Sequence, residues 1–216
     1  MMRQTLWYIA DPMCSWCWGF SPVIERTRFE YAGRLEFELL LGGLRPSTKH
    51  PLPAAQRDEI LGHWQAVRRA TGQPFRFEGA MPQGFVYDTE PASRAVVSVS
   101  MMDEGAVFPF FKSVQRAFYA ERQDVTVPGM LARLAGTVGL DEQQFLRIFE
   151  SDTARDRTLE HFQEARRRGV SGFPAVMMQD AQGYALLTRG YCPYEALCSR
   201  LDAWLKGALS ALSDGG

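Results

Sequence analysis

Apolar and polar positions divide this chain into two short strand-bearing ends and a long helical middle. Thr5 to Ile9 is apolar almost throughout, the pattern of a strand buried on both faces. Pro22 to Tyr31 is amphipathic and reads as a helix continuing a turn that begins at Cys14. Leu35 to Leu41 alternates and then turns fully apolar, a second strand ended by Gly42-Gly43. A strand, helix and strand of this length predict a right-handed crossover and a parallel pair.

The strand pattern then stops for about 130 residues. Pro53 to Ala70 carries a helical stripe at Ile60, Leu61, Trp64 and Val67. Residues 72 to 91 mix Pro and Gly with Phe75, Phe77, Met81, Phe85 and Tyr87, which predicts an ordered aromatic loop. Helices are expected over Pro91–Met102, Val107–Arg122, Pro128–Val138, Asp141–Phe149 with Asp141 as its cap, and Asp152–Arg168. The last of these ends in Arg166-Arg167-Arg168-Gly169, cations and then glycine, as a helix C-terminus prefers.

Strands return at Ala175–Met178 and Tyr184–Leu187, joined by a hairpin turn over Asp180-Ala181-Gln182-Gly183. A final helix opens at Pro193, with Leu197, Leu201, Trp204, Leu205, Ala208 and Leu212 on its inner face. Ser213 to Gly216 are expected to fray. The order is β-α-β, a helical block, then α-β-β-α. The two ends together make one small sheet with helices on both faces, and the middle is an insertion. The class is α/β.

Composition narrows the partners. Among 216 residues, Lys+Arg total 24 against Asp+Glu 25, a net charge of −1. That balance supplies no footprint for nucleic acid or an anionic membrane surface. No apolar run approaches the length of a bilayer span. The chain begins Met1-Met2-Arg3-Gln4-Thr5 and enters a strand with no h-region or cleavage site, which predicts a cytoplasmic protein. Stable structural disulfides are uncommon there, so four cysteines point to redox chemistry or metal. Nothing in the pattern specifies an oligomeric state.

The candidate chemistry lies in Asp11-Pro12-Met13-Cys14-Ser15-Trp16-Cys17-Trp18-Gly19, at the junction of the first strand and first helix. A helix N-terminus has free N–H groups and a positive partial charge, so a sulfur placed there is stabilised as thiolate. Cys14 stands at the turn and Cys17 inside the first helical turn. This geometry supports thiol–disulfide exchange, in which Cys14 attacks a partner disulfide and Cys17 resolves the mixed disulfide. The rival is half of a zinc site. It lacks two further ligands at sensible spacing, because Cys192 and Cys198 are six apart and His50, His63 and His161 are scattered. A second candidate feature is Gly169-Val170-Ser171-Gly172-Phe173-Pro174-Ala175. Proline at the start of a buried strand admits a cis bond that turns the preceding backbone outward, or a trans proline that merely begins an exposed strand.

This order of strand, C-x-x-C, strand, helical insertion, helix and Val170-Ser171-Gly172-Phe173-Pro174 before a hairpin resembles the DsbA family of thioredoxin-fold oxidoreductases. The Asp-Pro-x-Cys-x-Trp-Cys-x-x-Gly form is most similar to its cytosolic, FrnE-like branch, and the likeness covers nearly the whole chain. It implies a thioredoxin-like domain from residues 1–43 and 155–216 around a helical insertion over 44–154. It implies Cys14 as nucleophile, Cys17 as resolving cysteine, Pro174 as a cis-proline facing them, and the Phe173 backbone pairing with an extended substrate. No bound cofactor is implied. The partners implied are protein or small-molecule thiols and disulfides, with glutathione as a candidate co-substrate.

This sequence departs from the periplasmic oxidants, which have Pro-His between the cysteines. Ser15-Trp16 puts no imidazolium beside Cys14, and Asp11 precedes it by three residues. Reduction or isomerisation is therefore expected over strong oxidation. Two other readings stay open. One is a glutathione-dependent transferase or isomerase of the kappa and 2-hydroxychromene-2-carboxylate isomerase type, which uses a serine near the Cys14 position. The other is a redox-silent peptide-binding module.

The surrounding residues carry further expectations. Met13 and Trp16 are read as an apolar substrate platform, and Trp18 and Phe20 as core. Gly42-Gly43 is read as a strand-ending turn. Cys192, before Pro193, is read as a reactive thiol and Cys198 as an inert buried one. Six helical residues rise about 9 Å, too far for a disulfide. His63 and His161 are read as surface or boundary residues. The arginine run is read as a helix end that attracts an anionic partner such as glutathione toward the Pro174 loop.

Overall fold

The structure is a computed structural model and describes residues 4–181 and 183–207. The expectations for Met1–Arg3, Gln182, Ala208, Leu212 and Ser213–Gly216 lie outside the described residues.

Strand β1 (Thr5–Ala10) occupies the interior of a four-stranded sheet of order β2-β1-β3-β4, with β2 at Glu36–Leu41, β3 at Ala175–Asp180 and β4 at Gly183–Arg189. β1 and β2 are parallel, pairing Thr5 with Glu36 through Ala10 with Leu41. β3 runs antiparallel to β1, with Ile9 opposite Ala175, and β4 returns antiparallel to β3. Both hairpin strands extend beyond their apolar cores, β3 to Asp180 and β4 from Gly183. The apolar run of β1 has a direct cause. Leu6, Tyr8 and Ala10 face one core, while Trp7 and Ile9 face a second core shared with Leu40, Ala165, Val170 and Met177.

Helix α1 (Ser15–Glu30) covers the first face and α7 (Asp152–Arg167) the second. Pro22 lies inside α1, not at its start. A proline there cannot donate to the carbonyl four residues earlier. The Trp18 carbonyl instead accepts from Ser21 Oγ at 2.9 Å and from Gln73 Nε2 at 3.0 Å. The helix continues because its one missing backbone bond is replaced.

Between β2 and α7 run α2 (Ala54–Thr71), α3 (Glu90–Ser100), a single 3₁₀ turn at Glu104–Ala106, α4 (Val107–Tyr119), α5 (Pro128–Thr137) and α6 (Glu142–Phe149). Two helices stop earlier than their stripes suggest. α3 ends at Ser100, and Asp103 then accepts from the Gly105 N–H at 2.8 Å to start the 3₁₀ turn. α4 ends at Tyr119, and Arg122 takes a left-handed φ of 57°. Asp141 caps α6 as expected, accepting from the Gln144 N–H at 2.6 Å. Residues 72–89 hold no regular element. Phe75 and Phe77 pack with Trp64, and Phe85 and Tyr87 with Phe118. Helix α8 (Tyr194–Leu205) packs against α1 and β4 and buries Leu197, Leu201 and Trp204.

Candidate active site

β1 ends at Ala10, and Asp11-Pro12-Met13 turns the chain into α1 with Cys14 as the N-cap, at φ −91° and ψ 118°. No side chain caps this helix, so its first N–H groups stay directed at the cysteine. The Cys14 N–H donates to the Asp11 carbonyl at 3.1 Å, and the Trp18 N–H to the Cys14 carbonyl at 3.1 Å. Both cysteines are free thiols. Cys14 retains 6% of its surface and Cys17 none, so only the outer sulfur can meet a partner. Burial, with Cys14 beside it, pushes the Cys17 thiol up, while the Asp11 backbone N–H partly offsets this.

The second half of the site comes from the loop before β3. Cys14 Sγ donates to the Phe173 carbonyl oxygen at 3.5 Å, across 159 residues of sequence. The Phe173–Pro174 bond is cis, and the Pro174 carbonyl accepts from the Gly190 N–H at 2.7 Å. Because Ile9 pairs with Ala175, this loop sits beside the end of β1, where the cysteine turn begins. The Phe173 ring lies directly on Gly42. A Cβ on that glycine would stand 1.9 Å from two ring carbons. Gly42-Gly43 thus ends β2, as expected, and also admits an aromatic ring.

Several side chains are placed otherwise than expected. Met13 is fully buried and cannot form a substrate platform; its backbone is what the site uses. Its N–H donates to Asp11 Oδ1 at 2.8 Å, and its carbonyl accepts from the Tyr87 hydroxyl. Trp16 is half-buried and packs on Tyr191 at a ring separation of 5.8 Å. Trp18 and Phe20 are core, with Trp18 Nε1 donating to the Pro74 carbonyl at 3.0 Å. The two later cysteines are buried otherwise than expected. Cys192 is buried, and burial raises its thiol, whereas Cys198 is half-buried. His161 is a boundary residue with a task. Its Nδ1 accepts the Leu41 N–H at 3.3 Å, and desolvation, with Arg157 and Arg168 nearby, holds it down at about 4. The arginine run is largely committed within the fold. Arg167 and Arg168 both pair with Glu164, and Arg168 lies over Trp7 at 3.9 Å and Tyr184 at 4.4 Å.

Asp11 does more than oppose a thiolate, an effect it does have on Cys17. It is wholly buried, and its carboxylate accepts from Met13 N–H, Leu44 N–H at 2.7 Å and the Thr89 hydroxyl. Burial pushes its carboxyl up to about 6 against those hydrogen bonds. Thr89 and Tyr191 went unnoticed, and Tyr87 was read only as part of an aromatic loop, because each reaches the site from a distant segment. The local signal for Thr89 was its place just before Glu90-Pro91 at a helix start.

A family model described as a DSBA-like thioredoxin domain matches residues 6–201. A candidate protein disulfide isomerase from Nitrosomonas europaea shares 50% identity over 95% of this chain and 98% of its own, with a TM-score of 0.91. The cytosolic disulfide reductase DsbM of Pseudomonas aeruginosa shares 26% identity over 94% and 98% of the two chains, with a TM-score of 0.78. A structure of DsbM with GSH is also similar, at 27% identity. Among curated proteins, a ClpXP adapter protein, SpxH, of Halalkalibacterium halodurans is 21% identical across 90% of this chain. The match spans 65% of that relative's length, under two thirds. Among the described residues, no helix is long and apolar enough to cross a membrane.

Proposed function

This chain belongs to the DSBA-like thioredoxin domain family, and from that premise we propose that it is a thiol–disulfide oxidoreductase working through Cys14 and Cys17 opposite Pro174. The observation that carries this reading is the pairing of Cys14 Sγ, at the N-terminus of α1, with the Phe173 carbonyl 3.5 Å away, while Cys17 lies sealed one turn deeper.

The Cys14 thiolate attacks one sulfur of a partner disulfide. That S–S bond breaks, a Cys14–partner disulfide forms, and the other half leaves as a thiolate that takes a proton. Cys17 then loses its proton and attacks Cys14 Sγ. The Cys14–Cys17 disulfide forms and the second half leaves as a thiol. Two electrons pass from the dithiol to the partner. Run backward, the same steps oxidise a dithiol. The absence of an imidazolium between the cysteines favours the reducing or isomerising direction, in keeping with the names of the two most similar neighbours reported above.

An extended partner pairs with the Phe173 backbone, and the Trp16–Tyr191 pair supplies an apolar wall beside its cysteine. No bound cofactor is required, because a small thiol such as glutathione returns the disulfide to the dithiol. The GSH-bound neighbour supports that choice, and a cytoplasmic setting would supply it.

The test is a Cys17→Ser variant, which stalls at the mixed disulfide. Proteins or glutathione released from Cys14 by dithiothreitol support exchange. Capture of glutathione alone, together with conjugating activity that persists without Cys17, would favour the transferase-type reading. No adduct on a Cys14 that still reacts with iodoacetamide refutes both.

A further inference from the structure

We propose that Asp11 is a positioning residue: its carboxylate clamps the cysteine turn to the loop after β2 and to the helical insertion, and reaction at Cys14 requires that clamp to be ionised. This rests on the exchange reading for its consequence in turnover, but the clamp itself is a matter of geometry.

Three donors from three separate segments converge on one carboxylate. Met13 N–H comes from the cysteine turn at 2.8 Å, Leu44 N–H from the loop after β2 at 2.7 Å, and the Thr89 hydroxyl from the start of α3. Thr89 is oriented for this. Its Oγ1 accepts the Arg45 N–H at 3.0 Å, which leaves its own proton for Asp11. An ionised carboxylate only accepts, so it satisfies all three at once. Oδ1 takes the Met13 N–H and Oδ2 the Leu44 N–H, so a proton on either oxygen leaves a hydroxyl oxygen, a much poorer acceptor, facing a backbone N–H, and the clamp weakens at that point. An asparagine fails more sharply, since its NH₂ replaces one of those two oxygens and faces a backbone N–H.

The consequence reaches Cys14 through two bonds. Met13 is held at both backbone groups, its N–H by Asp11 and its carbonyl by Tyr87. The Asp11 carbonyl accepts the N–H of Cys14 itself. Loosening the clamp therefore frees the residue that sets Cys14 Sγ against the Phe173 carbonyl.

The surroundings give no other reason for a charge here. Asp11 is wholly buried. From α1 it meets Cys17, from the loop before α3 Asp88 and Tyr87, and from α4 Tyr119. The nearby cation, Arg45, lies over the Tyr87 ring at 5.7 Å. Burial outweighs the three hydrogen bonds and raises the carboxyl to about 6. An acid that destabilises its own site when charged, yet holds the turn only when charged, belongs to the machinery of that turn.

The test follows two signals in the full-length chain from about pH 5 to 9. One is peptide-resolved iodoacetamide labelling of Cys14; the other is the rate of exchange with oxidised glutathione. In the wild type both should carry an inflection near pH 6 beside that of the thiol. Asp11→Asn should lose that inflection and slow exchange at neutral pH by about tenfold or more, the equivalent of one charge-assisted hydrogen bond. Thr89→Val keeps the carboxylate and removes one donor, so it should move the inflection to higher pH. It decides the matter if Asp11→Asn does not fold. A wild-type inflection that persists in Asp11→Asn, or one unmoved by Thr89→Val, overturns the proposal. If labelling behaves as stated while glutathione exchange is absent in the wild type, the clamp stands and the oxidoreductase reading fails.

Discussion

Replacing Gly42 by alanine tests whether the sheet sets the position of the proline loop. The new Cβ would lie 1.9 Å from Cε1 and Cζ of Phe173 and 2.7 Å from Cδ1. The glycine cannot retreat, because its N–H donates to the Ala10 carbonyl at 2.9 Å. The ring must therefore withdraw by about 1.5 Å to regain ordinary carbon contact. Overpacking of this kind costs about 1–3 kcal/mol. Phe173 is only half-buried, so the lower half of that range applies, a fall in Tm of about 2–8 °C for a chain this size. The backbone of the same residue holds its carbonyl 3.5 Å from Cys14 Sγ, and a shift of about 1 Å in reacting geometry can cost up to about a hundredfold in rate. The assay pairs thermal unfolding with the reduction of oxidised glutathione by the dithiol form. The expected outcome is a lower Tm with exchange slowed tenfold or more, and relief of the Tm loss when Phe173→Ala is added, with a coupling of at least about 1 kcal/mol. A lowered Tm at the wild-type rate would show that the ring swings away alone and that Gly42 does not set the loop.

Tyr87→Phe leaves the buried Met13 carbonyl without its donor, so it should destabilise the fold by about 1–2 kcal/mol in denaturant melts and slow exchange as well. Two buried groups oppose each other in acid. Between pH 6.5 and 4 the unfolded chain takes a proton at His161 that the folded chain refuses, so stability falls as pH falls. Between about pH 6 and 3.8 the folded chain takes one at Asp11 that the unfolded chain refuses, so stability rises as pH falls. Each effect is at most about 3 kcal/mol. Urea midpoints of the wild type should be nearly flat across this window, whereas His161→Asn should gain stability toward pH 4; a wild-type-like flat profile in that variant would be contrary. Cys192→Ser with Cys198→Ser should leave the exchange rate within about twofold, measured with the same glutathione assay, because the groups acting on Cys192 are Arg200, Thr188 and Cys198, not Cys14 or Cys17.

The parts of the site that are local in sequence were legible from it. A strand, a C-x-x-C and a helix put Cys14 at an N-terminus and Cys17 inside, and the pattern around Pro174 placed that residue at the first residue before β3. What escaped was lateral. Met13 looks like a surface anchor when read beside Trp16, yet Tyr87, 74 residues on, covers it. Asp11 reads as a charge opposing a thiolate, as it does for Cys17, but nothing local in the sequence shows that Leu44 and Thr89 donate to it. Periodicity reports which face of an element is apolar; it does not report which hydroxyl or amide from another segment ends there. The two later cysteines were misassigned for a related reason. Position relative to Pro193 suggested a reactive Cys192, whereas the residue belongs to the buried core.

The proline within α1 bears on how such a chain can be modified. The Trp18 carbonyl it leaves free is taken by Gln73, Trp18 Nε1 in turn binds the Pro74 carbonyl, Tyr87 binds Met13, and Thr89 binds Asp11. Every one of those four links joins the cysteine helix or its turn to residues 73–89. A grafted insertion from a distant relative, or a minimal version with those residues deleted, would strip partners from four buried polar groups at once. Specificity in this architecture is thus not a detachable module. Exchanging the helical insertion means rewriting residues 11–18 along with it.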